Sequence, residues 1–413
     1  MSGSLSSLPI GDPRTIAFVV PRYGRDITGG AETLCRNVAE NLAAAGLPIE
    51  VYTTCAVDHF TWENHHPAGV TLEGGVPVHR FPVTAARDRT RFEELHHGIV
   101  GIGDPGYDAQ LEWMAHSVWS ADLDAALAAR NNLRCRIALP YLFGTTFWSV
   151  VDDPARTILV PCLHDEPYAY LRVVREMLQA AAGCLANARG EADLIERIAP
   201  AARVALGGVG FTPGEGPTDP MDFCTERRIA PGYLLYAGRR EEAKGVLNLY
   251  RDYARFVRMH PDAPPLAMMG SGQLDPPAEI ADRVIDLGFV PARRMRDAFA
   301  AAAVLLHPSR LESFGMVLLE AWLEGVPALV NGSSPVLTAH CQESGGGLWY
   351  DTPAEFVEGL DILLGDDGLR RRMGAAGAPH PVRPAAASAR GCPAMPAAPG
   401  GGTMPIPTST ATC

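Results

Sequence analysis

The chain has 413 residues, beyond the size at which one hydrophobic core stops growing, so two domains of ordinary size are expected. An apolar fraction of 47% and a charged fraction of 20% exclude a disordered chain. The formal charge of -12 argues against a partner gripped through a phosphate backbone, so nucleic acid is excluded as the main partner.

The elements alternate from the start. IAFVV (16–20) is a short apolar run suited to a strand buried on both faces. In TGGAETLCRNVAENLAAAG, Leu34, Val38, Ala39 and Leu42 recur at helical spacing until Gly46 stops them, and PIEVYTT is a second strand. RIALPYLF, TILVPCLH, GCLAN and ARVALGG follow as strands, with DLDAALAAR and YAYLRVVREMLQAA as helices between them. Strand and helix in strict alternation imply βαβ units and a parallel sheet.

Between Phe211 and Gly232 the density of Pro and Gly marks a linker, after which the alternation restarts. YLLYAGR, PLAMMG, VIDLGFV, AAVLLHP and PALVN read as strands. Helices are expected around Val246–Met259, Met295–Ala302 and Met316–Glu324. The predicted architecture is therefore α/β, two Rossmann-like parallel-sheet domains over 1–212 and 213–376 that face a cleft, where ligands bind at the carboxyl ends of strands. From 377 onward the text is rich in Pro, Ala and Gly without one Asp or Glu, and is expected to be a disordered tail. Because DDGLRRRMG before it reads as a helix cut short, a frameshift in the underlying gene would account for the break in composition.

Nine cysteines stand singly, with no CxxC pair and no zinc spacing, and read as small buried hydrophobes in a reducing compartment. MSGSLSSLPIGDPR lacks the regions of a signal peptide, and no uncharged apolar run is long enough to span a bilayer. The expectation is a cytoplasmic protein with no transmembrane segment, or one peripheral to the inner face of the membrane.

Several stretches carry candidate chemistry, each beside a plainer reading. In HPSRLESFGMVLLEAWLEGVP, Glu312 lies in the loop after a strand and Glu320 about one turn into an almost wholly apolar helix. Glu312 could be a solvated or dipole-favouring acid, and Glu320 could share an exposed face with Glu324, although flanking Leu319, Ala321, Trp322 and Leu323 leave little polar face. In AGRREEAKGV, Arg239 and Lys244 beside a helix start form an anion site, or an ordinary charged loop in which Arg240, Glu241 and Glu242 solvate. Gly29 and Gly30 between the first strand and its helix let backbone N–H groups approach a ligand, without any GxGxxG fingerprint. His164, in LHDEP, stands at the cleft edge or serves structure. Asp122 and Asp124 spell a metal-type DxD, but at the start of an alanine-rich helix capping explains them better. Arg87, Arg89 and Arg91 are diluted by Asp88, Glu93 and Glu94, which suits a solvated face more than a site for an anionic acceptor.

The order strand–GGAE–helix, HD, a Pro/Gly hinge, GRxxxxKG and HPSxxESFGxxxxE resembles the GT-B-fold retaining glycosyltransferases of family four, the glycosyl transferases group 1 type, from about Ile16 to Met373. The resemblance implies a metal-independent hexosyltransferase without a cofactor, taking a nucleotide-diphosphate sugar as donor and a glycan, lipid-linked or small-molecule acceptor in glycan biosynthesis. It also implies that Glu320 bonds the ribose, that Glu312 and His164 touch the donor sugar, and that Arg239 and Lys244 hold the diphosphate against the Gly29–Gly30 turn. Ser313, Phe314 and Gly315 complete the donor-binding loop. A glycosidase carboxylate pair is the rival chemistry, but a cationic phosphate site has no use there. In GT-B proteins a C-terminal helix braces the first domain, and here the Pro/Ala tail stands in its place. The alternatives are a non-catalytic truncated product that binds nucleotide sugar and an epimerase of the same fold.

Overall fold

The computed structural model describes residues 13–27, 29–59, 61–84, 88–209, 216–272 and 275–377. The expected tail from 378, residues 211–215 of the expected linker, and Arg87 lie outside the described residues. Two sheets form. The first takes in β1 (Thr15–Val19), β2 (Ile49–Thr54), β3 (Gly69–Glu73), β4 (Val76–Phe81), β5 (Leu133–Ala138), β6 (Thr157–Leu159), β7 (Gly183–Ala186) and β8 (Val204–Leu206), in the order β3-β4-β2-β1-β5-β6-β7-β8. The second takes in β9 (Tyr233–Ala237), β10 (Leu266–Met269), β11 (Val284–Gly288), β12 (Ala302–His307), β13 (Ala328–Asn331) and β14 (Gly347–Tyr350), in the order β11-β10-β9-β12-β13-β14. Every pairing of the second sheet is parallel, so its strands are covered by helices on both faces, and Leu234, Leu235, Val304 and Leu305 are fully buried.

The strict alternation breaks most plainly after β2, where no helix separates β2, β3 and β4. β3 pairs antiparallel with β4 through a two-residue turn at Gly74 and Gly75, both at positive φ, the geometry a primed hairpin turn requires and glycine supplies. β3 is the sheet edge, so Val70 and Leu72 stay exposed. The expected linker also holds a helix, Pro220–Arg227, whose Asp219 side chain accepts the Asp222 N–H and whose Phe223 and Cys224 enter the core of the second sheet. Its start signal, an Asp cap followed by Pro at the first position, was hidden by the Pro-rich text around it. The strand in TILVPCLH stops at Leu159, and Cys162 beyond it has φ 51, in the left-handed region.

Strand order places the loops. The order reverses between β1 and β5 in the first sheet and between β9 and β12 in the second, and at such a switch point the loops leave in opposite directions and open a crevice. The Gly29–Gly30 turn follows β1, Arg239 and Lys244 follow β9, and Glu312 follows β12. The two sheets meet through a small apolar cluster in which Ala188 and Val209 pack with Phe314, Met316, Leu319 and Val336.

Candidate active site

The second sheet supplies the charged centre. Lys244 Nζ donates to Glu312 Oε1 at 2.7 Å, joining the loops after β9 and β12. The approach depends on Gly245, at φ 77, where a Cβ would stand 2.5 Å from the Pro308 carbonyl oxygen. Burial pushes the Glu312 carboxyl up, but the Lys244 ammonium and, more weakly, His307 and His164 outweigh it and bring it down to about 2. His307, buried at the end of β12, has Nε2 3.9 Å from the same oxygen. Burial drives its imidazole down to about 4, so at neutral pH it is uncharged and Lys244 is the cation that faces Glu312. Ser313, Phe314 and Gly315 follow in the loop, Phe314 edge-on to His340 at 4.8 Å between centroids.

Glu320 stands one turn into the helix Met316–Leu323, half-buried. Burial alone raises its carboxyl to about 7. Glu324, four residues on, does not share an exposed face with it: its carboxylate accepts from Arg296 Nε at 2.5 Å and is largely buried. The end of the chain's described part holds this helix. Trp322 is fully buried, its indole donates to the Gly346 carbonyl, and the helix Asp367–Gly377 packs on it so closely that a Cβ on Gly377 would lie 2.2 Å from the ring and one on Gly374 1.8 Å from the Gly325 oxygen.

Arg239 shares its guanidinium between Glu241 Oε1 and His59 Nε2, each at 3.0 Å. His59 belongs to the loop after β2, so this bond crosses the cleft. Arg240 does not solvate: it pairs with Asp286 at 2.8 Å. Behind these loops lies a stretch whose value the sequence reading missed, Gly270–Ser271–Gly272 after β10. A Cβ at Gly270 would be 2.0 Å from the Gly238 oxygen and one at Gly272 2.7 Å from the Arg240 oxygen. Arg240 N–H donates to the Ser271 carbonyl, and Gly270 N–H to Gly288. The GSG spelling after a strand was the available signal.

On the first sheet Gly29 caps the helix Gly30–Ala44. Its lack of a side chain serves an additional purpose, since a Cβ would lie 2.1 Å from Glu32 Oε2. That carboxylate pairs with Arg22, which also donates to the Val57 carbonyl at 2.8 Å, so the turn and the loop after β2 are tied together. His164, in the loop after β6, is half-buried, with Nδ1 3.4 Å from Glu166 Oε1, an oxygen that also accepts from Tyr141 at 2.6 Å. Asp122 and Asp124 do not cap their helix: Ser120 is the cap, and Asp124 accepts from the Trp119 indole. Among the described residues no group of three or more His, Cys, Asp and Glu side chains could hold a metal ion. Arg89 pairs with Glu93, and Arg91 with Glu94 and Glu112, so that face neutralises itself. The seven described cysteines are unpaired, six of them buried. No helix among the described residues is long and apolar enough to cross a membrane.

Two switch-point crevices facing each other, with cations and a deprotonated carboxylate at the carboxyl ends of β9 and β12, define a GT-B protein. Residues 226–379 match the family model described as Glycosyl transferases group 1. The chain is 30% identical over 203 residues to the D-inositol 3-phosphate glycosyltransferase of Corynebacterium diphtheriae, an alignment spanning 46% of each chain. To the protein of the same name in Acidothermus cellulolyticus it is 24% identical over 90% of this chain and 87% of that one. Among solved structures, Anabaena HepE in complex with UDP-glucose superposes with a TM-score of 0.61 at 18% identity, over 88% of this chain and 93% of that one, which speaks for the fold.

Proposed function

We propose that the protein transfers a hexosyl group, with retention and without a metal, from a nucleotide-diphosphate sugar to an acceptor hydroxyl. The observation that carries this reading is the Lys244–Glu312 pair: a carboxylate held ionised in a largely buried site, beside a cation with donors to spare. An ammonium has three donors, and Glu312 uses one, so Lys244 can still bond a phosphate oxygen. Breaking the anomeric carbon–oxygen bond leaves negative charge on the departing diphosphate, and Arg239 and Lys244 are fixed donors for it before the reaction starts. In this role they do what a divalent ion would do elsewhere. Glu312 takes a hydroxyl of the donor sugar, His164 approaches the same sugar from the first sheet, and the Gly29–Gly30 turn lies along the diphosphate, with Ser313, Phe314 and Gly315 lining the donor loop.

Glu320 has the environment of an acid waiting for a partner. Its carboxyl is raised to about 7 by burial alone, and two ribose hydroxyls would supply the hydrogen bonds that the apolar helix around it does not. The full-length relative named as a D-inositol 3-phosphate glycosyltransferase makes a phosphorylated cyclitol the first acceptor to try. The test is a thermal-shift screen of UDP-, GDP- and ADP-sugars, followed by incubation of the stabilising donor with inositol 3-phosphate and detection of the glycoside by mass spectrometry. A donor at 100 times its dissociation constant should stabilise by about 2.7 kcal/mol. Failure of every nucleotide sugar to raise the melting temperature would reject the reading, and release of an epimerised sugar would turn it to isomerisation.

A further inference from the structure

We propose that Glu191 is a positioning residue for His164, its buried carboxylate pinning the peptide before His164 to the contact between the two sheets. The inference rests on the reading of His164 as a donor-sugar residue. Glu191 lies in the first turn of the helix Arg189–Ile198 and is 1% exposed. Among the described residues neither oxygen pairs with a cation. One accepts the Leu163 N–H at 2.7 Å and the other the Asn187 N–H at 2.6 Å, so a single carboxylate ties the loop after β6 to the loop after β7. An acid buried for capping alone would bond its own helix, whereas half of this bonding goes to a residue 28 positions away, directly before His164.

The loop it holds is also tied by the Pro161 carbonyl, which accepts the Tyr141 N–H at 2.9 Å, and by Leu163 in the apolar core, but Glu191 alone holds the peptide N–H next to His164. β6 ends at Leu159, Pro161 brings no N–H, and Cys162 sits at φ 51, a conformation a side-chain-bearing residue keeps only under outside constraint. Asn187 Nδ2 adds a second tether, donating to Cys162 Sγ at 3.6 Å. On the other side, Ala188 packs with Phe314 and Val336, and a Cβ on Gly190 would meet the Val336 side chain at 3.2 Å. Asn187 and Glu191 thus flank the residues that touch the second sheet, and Phe314 is two residues from Glu312. Through this clamp the orientation of His164 is referred to the same contact that seats the Glu312 loop.

A glutamine at 191 keeps the shape but turns an NH2 group toward one of two N–H donors, leaving one unpaired. The full chain is assayed for hydrolysis of UDP-glucose to glucose and UDP, with Glu191→Gln, His164→Ala and the double variant compared with wild type. The expected result is a fall in kcat of tenfold or more in E191Q with KM for UDP-glucose and the affinity for UDP within twofold, and little additional loss in the double variant. Independent, multiplying losses, or an unchanged kcat in E191Q where H164A is impaired, would overturn the proposal. An H164A variant as active as wild type would instead reject the reading of His164. Histidine-labelled protein gives a readout that needs no turnover: the His164 imidazole signals should split or broaden in E191Q, and unmoved signals would refute the clamp. If E191Q does not fold, Asn187→Ala removes only the second tether and should lower kcat two- to fivefold with the same unchanged KM; an unchanged kcat there would count against the clamp.

Discussion

Lys244 and Glu312 are 68 residues apart in the chain and 2.7 Å apart in space. Removing the ammonium would leave a largely buried carboxylate unpaired, which costs about 3 kcal/mol even at the low end for such pairs, a fitting estimate where part of Lys244 stays exposed. Lys244→Met should therefore lower the melting temperature by roughly 6–12 °C at pH 7. The sign with pH is fixed by the depressed Glu312 carboxyl. Its contribution is present above the unfolded value near 4.5 and lost as pH falls toward about 2, so the gap between wild type and K244M should narrow on acidification. A gap that widens in acid would contradict the pairing.

Glu320 behaves in the opposite sense. Its carboxyl is raised to about 7, so the folded state favours the proton, and stability is lost as pH rises from near 4.5 through 7. Glu320→Gln should be neutral to stability at pH 4 and raise the melting temperature at pH 8, by about 2–4 °C per kcal/mol recovered. The same variant, and Glu320→Ala more so, should weaken nucleotide binding by about 1.5–3 kcal/mol, the value of a hydrogen bond to a charged group. Calorimetry on UDP or GDP decides it, and undiminished affinity would remove Glu320 from the ribose site.

The helix Asp367–Gly377 offers a structural test. With Gly374 pressed on the Gly325 carbonyl, Gly374→Ala should destabilise by about 1–3 kcal/mol, as overpacking does, and should loosen the helix that carries Glu320. Gly365→Ala, where a Cβ meets nothing within 4 Å, is the control and should leave the melting temperature within a degree or two. Equal behaviour of the two variants would show that the packing on Trp322 matters little.

If the proposed function holds, donor turnover should persist in EDTA, because fixed guanidinium and ammonium groups would serve the diphosphate. Hydrolysis of UDP-glucose with and without chelator, and after adding back Mg²⁺ or Mn²⁺, is the measurement. Loss on chelation and recovery with the ion would move the charge stabilisation to a metal.

The strands around the second switch point were readable in the sequence because a strand buried on both faces spells an unbroken apolar run, as AAVLL and YLLYA do. So were the loops after them, because Gly, Arg, Lys and Glu interrupt those runs sharply. The helix at Pro220 went unread because it is short and set in turn-rich text, and the hairpin went unread although Gly74–Gly75 between the alternating runs VTLE and VPVH was a signal for it. What only the tertiary structure decided is pairing. One-dimensional spacing could put Lys244 in an anion site and Glu312 in a loop, but not show that they meet; it suggested Arg240 as solvated, where the fold gives it Asp286. Glu191 and His59 carried no signal at all, since a carboxylate's or imidazole's partner is set by which strand ends the sheet order brings together, and that order is a property of the packed chain.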